Sequence, residues 1–145
     1  MIFKKILIAV DTGTFAAHAA GIGLDLARPL GAEVALIHVV DPALAHTALG
    51  SGVPADRWLT LAQDDARELL RAFKARAAAE PPVLEFIETG PPAAKIVEAA
   101  RQWSADLIVM GTHGRGPIGS ILLGSIAQGV LRHAHCPVMV LPRSS

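Results

Sequence analysis

The chain has 145 residues, a length typical of one domain that can build its own core. Its 13 basic and 13 acidic residues cancel, which argues against nucleic acid or an anionic membrane as a partner. One cysteine excludes an internal disulfide, and no apolar stretch approaches the ~20 residues that span a bilayer, so we expect a soluble cytoplasmic protein.

The first third of the chain predicts two buried strands around a helix. Ile6 to Val10 is a continuous apolar run, typical of a strand covered on both faces. Apolar residues then recur at helical spacing from Phe15 to Leu26, and Pro29 and Gly31 predict the end of that helix. A second buried strand is predicted over residues 34–40.

The middle third predicts a loop, a helix and an edge strand. Residues 41–57 are rich in Ala, Gly and Pro without a period, so we predict a mobile loop that could close as a lid. An amphipathic helix is predicted over residues 59–79. Residues 83–88 mix Glu with Leu and Phe, which is typical of an edge strand.

The last third predicts two more helices and two more strands. Helical spacing runs from Ala93 to Trp103 and again from Ile126 to Arg132, and apolar runs at residues 107–110 and 138–141 predict strands. Five strands alternating with four helices predict a doubly wound α/β domain, with a parallel sheet covered by helices on both faces. Ligands of such sheets bind beyond the carboxyl ends of the strands.

A loop with several glycines joins the predicted strand 107–110 to the last helix. It carries Gly111 and Gly114 and, after nine residues, Gly124 and Ser125. Helix N-termini present N–H groups and positive dipole ends, and glycine lets the backbone approach a phosphate closely. No acidic residue follows Asp106 in the sequence, whereas three arginines do. The loop therefore predicts a phosphate-binding site.

Two familiar phosphate motifs fit this loop only in part. Gly114 to Gly119 matches G-x-G-x-x-G, but a dinucleotide fold needs that motif at its first strand–helix turn, with an acidic residue about 20 positions later. Gly114 to Ser120 matches G-x-x-x-x-G-[ST] but lacks the P-loop lysine. Without that cation on the phosphates, we do not expect a fast ATPase.

The spacing Gly-x-x-Gly, nine residues, Gly-Ser resembles that of the nucleotide-binding branch of the universal stress protein family. Lys4 to Asp11 is similar to the family's opening strand, and Leu36 to Val40 to its second strand. Leu131 to Val138 is similar to its closing helix and strand. The resemblance covers essentially the whole chain and implies one domain over residues 1–145 with five parallel strands in the order 3-2-1-4-5.

The resemblance also implies an ATP site. The glycine loop would line the phosphates, Asp11 would reach the ribose or a nucleotide-bound Mg²⁺, and Val39 and Met110 would flank the adenine. A carboxylate at a strand end can accept hydrogen bonds from ribose hydroxyls, and apolar edges suit an adenine ring. The expected nucleotide-binding residues are Ala9, Asp11, Val39, Met110, Gly111, Gly114, Arg115, Gly124, Ser125 and Ile126.

Simpler interpretations stay open for several of these residues. Asp11 and Ser125 could be helix N-caps, and Val39 and Met110 could be core residues. The glycines could simply turn the chain after a strand.

The histidines have structural interpretations too. We interpret His38 as a hydrogen-bonded core or rim histidine, and His113 as a loop histidine donating to backbone or phosphate. His133, His135 and Cys136 have the residue types of a metal site, but they straddle a predicted helix-to-strand turn, so we do not expect a metal there. A Ser125, His113 and Asp11 triad is discounted because no G-x-S-x-G motif surrounds the serine.

The sequence thus favours an ATP-binding regulator of stress responses over a high-turnover enzyme. One alternative is a slow ATPase assisted by His113 and Arg115. Another is an interaction module of the same fold without nucleotide, since Pro117 to Gly119 depart from the family's usual spacer. The resemblance also implies a homodimer through Val138 to Leu141, a short apolar strand without charge.

Overall fold

The computed structural model describes residues 2–11, 16–48, 52–77, 82–112 and 123–142. Its elements in chain order are β1 (Lys5–Ala9), α1 (Ala16–Leu30), β2 (Glu33–Val40), a 3₁₀ helix (Pro42–Ala48), α2 (Ala55–Lys74), β3 (Leu84–Thr89), α3 (Pro92–Trp103), β4 (Leu107–Gly111), α4 (Ser125–His133) and β5 (Val138–Leu141).

The strands form one parallel sheet in the order β3-β2-β1-β4-β5, which confirms the predicted order. Ile8 of β1 pairs with Leu36 on one side and with Val109 on the other. The chain adds β2 and β3 on one side of β1 and then crosses to add β4 and β5 on the other. The strand order therefore reverses between β1 and β4, where open α/β sheets bind ligands.

Alternate residues of the strands belong to two separate hydrophobic cores, one on each face of the sheet. Ile6 and Ile8 of β1 are fully buried in the core that includes residues of α1 and α2. Leu7, also fully buried, belongs to the core that includes residues of α3 and α4. Because strand side chains point to opposite faces in turn, a continuous apolar run is what a strand covered on both faces requires.

The region after β2 differs from the sequence prediction. The loop predicted over residues 41–57 was wrong for Pro42–Ala48, which form a 3₁₀ helix, and α2 begins at Ala55 instead of residue 59. The Asp41 carboxylate accepts the Ala43 N–H at 3.0 Å, and the Asp41 carbonyl accepts the Leu44 N–H at 3.1 Å. The Asp41 side chain starts this turn by bonding to the backbone, and a turn of this kind leaves no apolar period in the sequence.

Both α1 and α3 end in a left-handed residue that closes the last turn. After α1, Gly31 has φ of 60°, and the N–H of Ala32 donates to the Ala27 carbonyl at 3.1 Å. After α3, Ser104 takes the same conformation with φ of 61°. Pro29 therefore lies inside the last turn of α1, and Gly31 is the residue that ends it.

Candidate functional site

The candidate site lies where β1 and β4 end side by side. Asp11 follows β1, and Gly111 is the last residue of β4. The ladder continues just beyond both strands, because the Val10 N–H donates to the Ile37 carbonyl at 2.8 Å and the Thr112 N–H donates to the Leu141 carbonyl at 3.0 Å. These bonds fix the backbone from which Asp11 and the glycine loop extend. We call this region the strand-end cleft.

Val39 and Met110, which were expected to flank the adenine, share one face of the sheet with Ala9. Ala9, Val39 and Met110 all pack with the core that includes α3 and α4. Ala9 and Val39 are half-buried, whereas only 4% of Met110 is exposed. Met110 is thus a core residue with little surface for a ligand to contact, whereas Ala9 and Val39 offer apolar surface near the strand ends.

The N-terminus of α4 is attached directly to the end of β4. The N–H of Gly124 donates to the Thr112 carbonyl at 3.0 Å, across the glycine loop. Gly124 is the N-cap, and no side chain among the described residues caps the helix. Ser125 is exposed and is the first helical residue, so its interpretation as the N-cap was wrong. The first turn has no acidic residue and directs its N–H groups away from the helix body.

Asp11 is half-buried after β1. Residues 12–15, between Asp11 and the described start of α1 at Ala16, lie outside the described residues, so the interpretation of Asp11 as the N-cap of that helix stays open. Gly114, Arg115 and His113 lie outside the described residues, as do Pro117 to Gly119 of the spacer.

His38 makes a contact that the sequence did not reveal. Its ring Nδ1 lies 2.7 Å from the Val10 carbonyl oxygen, which confirms the interpretation as a hydrogen-bonded rim histidine. Because a carbonyl only accepts, Nδ1 must carry the proton and donate it. No local pattern predicts this partner of the ring, since Val10 lies 28 positions away.

Thr112 is the residue that sequence reasoning missed. It is 8% exposed and joins β4, β5 and α4, because its N–H and its carbonyl both bond to neighbouring elements. The available signal was a polar residue placed directly between a buried strand and the rest of the glycine loop.

A separate groove of about 680 Å³ runs between α3 and α4. Ser125 and Ile126 line one part of it, and Arg101 and His133 line another. Asp11, Val39 and Met110 are not among its lining residues, and within the part of the chain that the structure describes, the groove meets the strand-end cleft at the start of α4.

The opposite, amino-terminal edge of the sheet holds the single cysteine. Burial raises the pKa of the Cys136 thiol, and the negative charge of Asp106 raises it further. Over the described ranges, no three His, Cys, Asp or Glu side chains are placed to hold a metal ion. None of the helices in those ranges is long and apolar enough to cross a bilayer.

The model of the universal stress protein family matches this chain over residues 2–142, nearly its whole length. The chain belongs to the universal stress protein family. The family's universal stress protein MJ0531 of Methanocaldococcus jannaschii is 38% identical over 149 residues, covering 98% of this chain and 84% of that protein. The solved structure of protein MJ0577 has a TM-score of 0.81 at 26% identity, covering 100% of this chain and 99% of that chain.

Two further solved universal stress proteins have the same fold. One, in complex with cAMP, has a TM-score of 0.69 at 22% identity and covers 99% of this chain and 100% of that chain. The other, from Archaeoglobus fulgidus in complex with dAMP, has a TM-score of 0.67 at 23% identity and covers 97% of this chain and 98% of that chain. At these identities the likeness shows the fold alone.

Proposed function

We propose that the strand-end cleft binds ATP with Mg²⁺ and that the protein is a cytoplasmic regulator of stress responses. The observation that carries the proposal is the bond from the Gly124 N–H to the Thr112 carbonyl. It holds a helix N-terminus against the end of β4, next to the strand from which Asp11 extends.

The start of α4 suits a polyphosphate. The positive end of its dipole and the N–H groups of its first turn favour an anion. The first turn has no acidic residue to repel one. Glycine at the N-cap has no side chain to fill the space where a phosphate would lie. Gly111, Gly124, Ser125 and Ile126 are the described residues that would hold the phosphates.

The other parts of ATP also find matching residues. The Asp11 carboxylate can accept hydrogen bonds from ribose hydroxyls, or it can bind the Mg²⁺ that neutralises phosphate charge. Mg²⁺ in nucleotide sites is commonly held by one or two carboxylates together with the phosphates. The half-buried Ala9 and Val39 offer apolar surface for the adenine. The two neighbours that hold cAMP and dAMP support an adenine nucleotide by analogy of fold.

Isothermal titration with Mg-ATP, after any co-purified nucleotide has been identified and removed, tests the proposal. We expect one nucleotide per chain with micromolar or tighter affinity. Gly124→Val should weaken binding at least about tenfold, about 1.4 kcal/mol, because its side chain would occupy the phosphate position. The backbone there, with φ of −66° and ψ of 163°, accepts valine, so the fold should persist.

Two control variants separate the effect on the site from general effects of substitution. Ser125→Ala removes a hydroxyl but keeps the helix N–H, so it should weaken binding less than Gly124→Val. Gly21→Ala lies within α1, where an added methyl group meets nothing within 4 Å, and should leave binding unchanged. If the wild-type protein gives no heat and carries no nucleotide, the proposal fails, and the alternative of an interaction module of the same fold is favoured.

A further inference from the structure

The end of β1 is held by a side chain where the sheet would otherwise use backbone. The Val10 N–H donates to the Ile37 carbonyl, as in a regular parallel ladder. The next bond of such a ladder would run from the Val39 N–H to the Val10 carbonyl. The Val10 carbonyl instead accepts a hydrogen bond from the His38 ring at 2.7 Å.

This contact controls more than Val10 itself. The Val10 carbonyl belongs to the peptide plane that also contains the nitrogen of Asp11, and that plane is rigid. Fixing its oxygen fixes the direction in which the chain enters Asp11. Val10 is 4% exposed, so water has little access to replace the ring as a donor.

We infer that His38 is a positioning residue, which aims the Asp11 carboxylate at the ribose hydroxyls of the bound nucleotide. The inference rests on the proposed function and adds a residue that makes the site selective for a sugar with free hydroxyls. His38 acts through the backbone and does not itself touch the nucleotide. The hydrogen bond persists whether the ring is neutral or charged, because Nδ1 donates in both forms.

The test compares ATP with 2′,3′-dideoxy-ATP, which lacks both ribose hydroxyls, by titration in the presence of Mg²⁺. We expect the wild-type protein to prefer ATP about tenfold, the value of one hydrogen bond to a charged group. His38→Leu removes the donor and should reduce this preference to about twofold or less, mainly by weakening ATP binding. Affinity for the dideoxy nucleotide should change little, because that ligand makes no use of the aimed carboxylate.

Matched variants identify the donor as the cause. His38→Asn places its amide nitrogen near the position of Nδ1 and should retain the preference. Asp11→Ala should remove the preference for ATP over the dideoxy nucleotide. Adding His38→Leu to Asp11→Ala should not change the preference further, because His38 acts through Asp11. If His38→Leu does not fold, His38→Gln serves instead, since its amide matches the position of Nε2 and not Nδ1.

Each adverse result has a distinct meaning. Equal weakening of both nucleotides by His38→Leu would show that His38 only supports the fold and would overturn the inference. A folded His38→Asn protein that loses the preference would also overturn it. Wild-type protein that binds both nucleotides equally would leave the proposed function standing and refute the role of His38. Wild-type protein that binds neither would refute both.

Discussion

Asp106 joins the amino ends of β1 and β4. Its Oδ2 accepts the N–H groups of Lys4 and Lys5, each at 2.9 Å, and its own N–H donates to the Lys5 carbonyl at 2.8 Å. Asp106→Ala removes the shared acceptor and should lower the free energy of unfolding by about 2 kcal/mol. Urea denaturation measures this. Asp106→Asn keeps one acceptor oxygen, so its free energy of unfolding should fall less than that of Asp106→Ala. An equal fall in both variants would contradict this role of the carboxylate.

Cys136 tests the electrostatics of the same edge. Its raised pKa means that the thiolate, which is the reactive form, appears at higher pH than in an ordinary cysteine. The rate of iodoacetamide modification should therefore reach its midpoint at higher pH in the folded protein than in the same protein in urea. Asp106→Asn should lower the folded midpoint in part, because burial remains the larger cause. Coincident midpoints in folded and unfolded protein would refute the prediction.

Single residues also show what the sequence could reveal of the site. The apolar runs placed Asp11 and Gly111 beyond neighbouring strand ends, because parallel strands direct their carboxyl ends to one edge. The bonds from His38 to Val10 and from Gly124 to Thr112 join residues of different elements. Such bonds depend on the register between strands and on loop geometry, which no local pattern contains.

Secondary-structure elements were predictable where their cause was apolar periodicity. The bounds of β5 agree with its apolar run, and those of β1, β2 and β4 agree within one residue. The starts of α3 and α4 also agree within one residue, whereas α2 begins four residues before its predicted start. Pro54 occupies the N-cap position of α2 without a side-chain hydrogen bond to the helix. The usual Ser, Thr, Asp or Asn signal was therefore missing.

The packing of α3 against α4 depends on a glycine. A Cβ at Gly129 of α4 would lie 2.7 Å from the Cβ of Ala93 on α3, closer than real side chains allow. Gly129→Ala should lower the free energy of unfolding by about 1–3 kcal/mol, despite the better helix propensity of alanine. Thermal or urea denaturation measures the change.

The control for Gly129 is a helical glycine with open space. Gly21→Ala in α1 meets nothing within 4 Å and should gain up to about 1 kcal/mol from helix propensity alone. Combining Gly129→Ala with Ala93→Gly removes the clash and should restore most of the free energy of unfolding that Gly129→Ala loses. Stabilisation by Gly129→Ala alone would show that the two helices separate without cost.

At the scale of the whole molecule, the two edges of the sheet differ in charge. The β3 edge carries Glu85 and Glu88, and charged residues discourage pairing with another strand. The β5 edge, Val138–Leu141, carries no charge, and its four residues are half-buried. The molecule is therefore protected against strand pairing at one edge and suited to it at the other, which fits the homodimer that we expect through β5.

The backbone of β5 allows that dimer to be tested without breaking the monomer. The carbonyls of Pro137 and Leu141 accept bonds from β4, so the N–H and carbonyl groups of Val138 and Val140 point to the free edge. Val140→Pro removes one outward N–H and should convert a micromolar dimer into a monomer in sedimentation velocity experiments. Val140→Ala loses the same side chain but keeps the N–H, so it should stay dimeric. A wild-type protein that is monomeric across the micromolar range would refute the dimer, and a dimeric, folded Val140→Pro protein would exclude β5 as its interface.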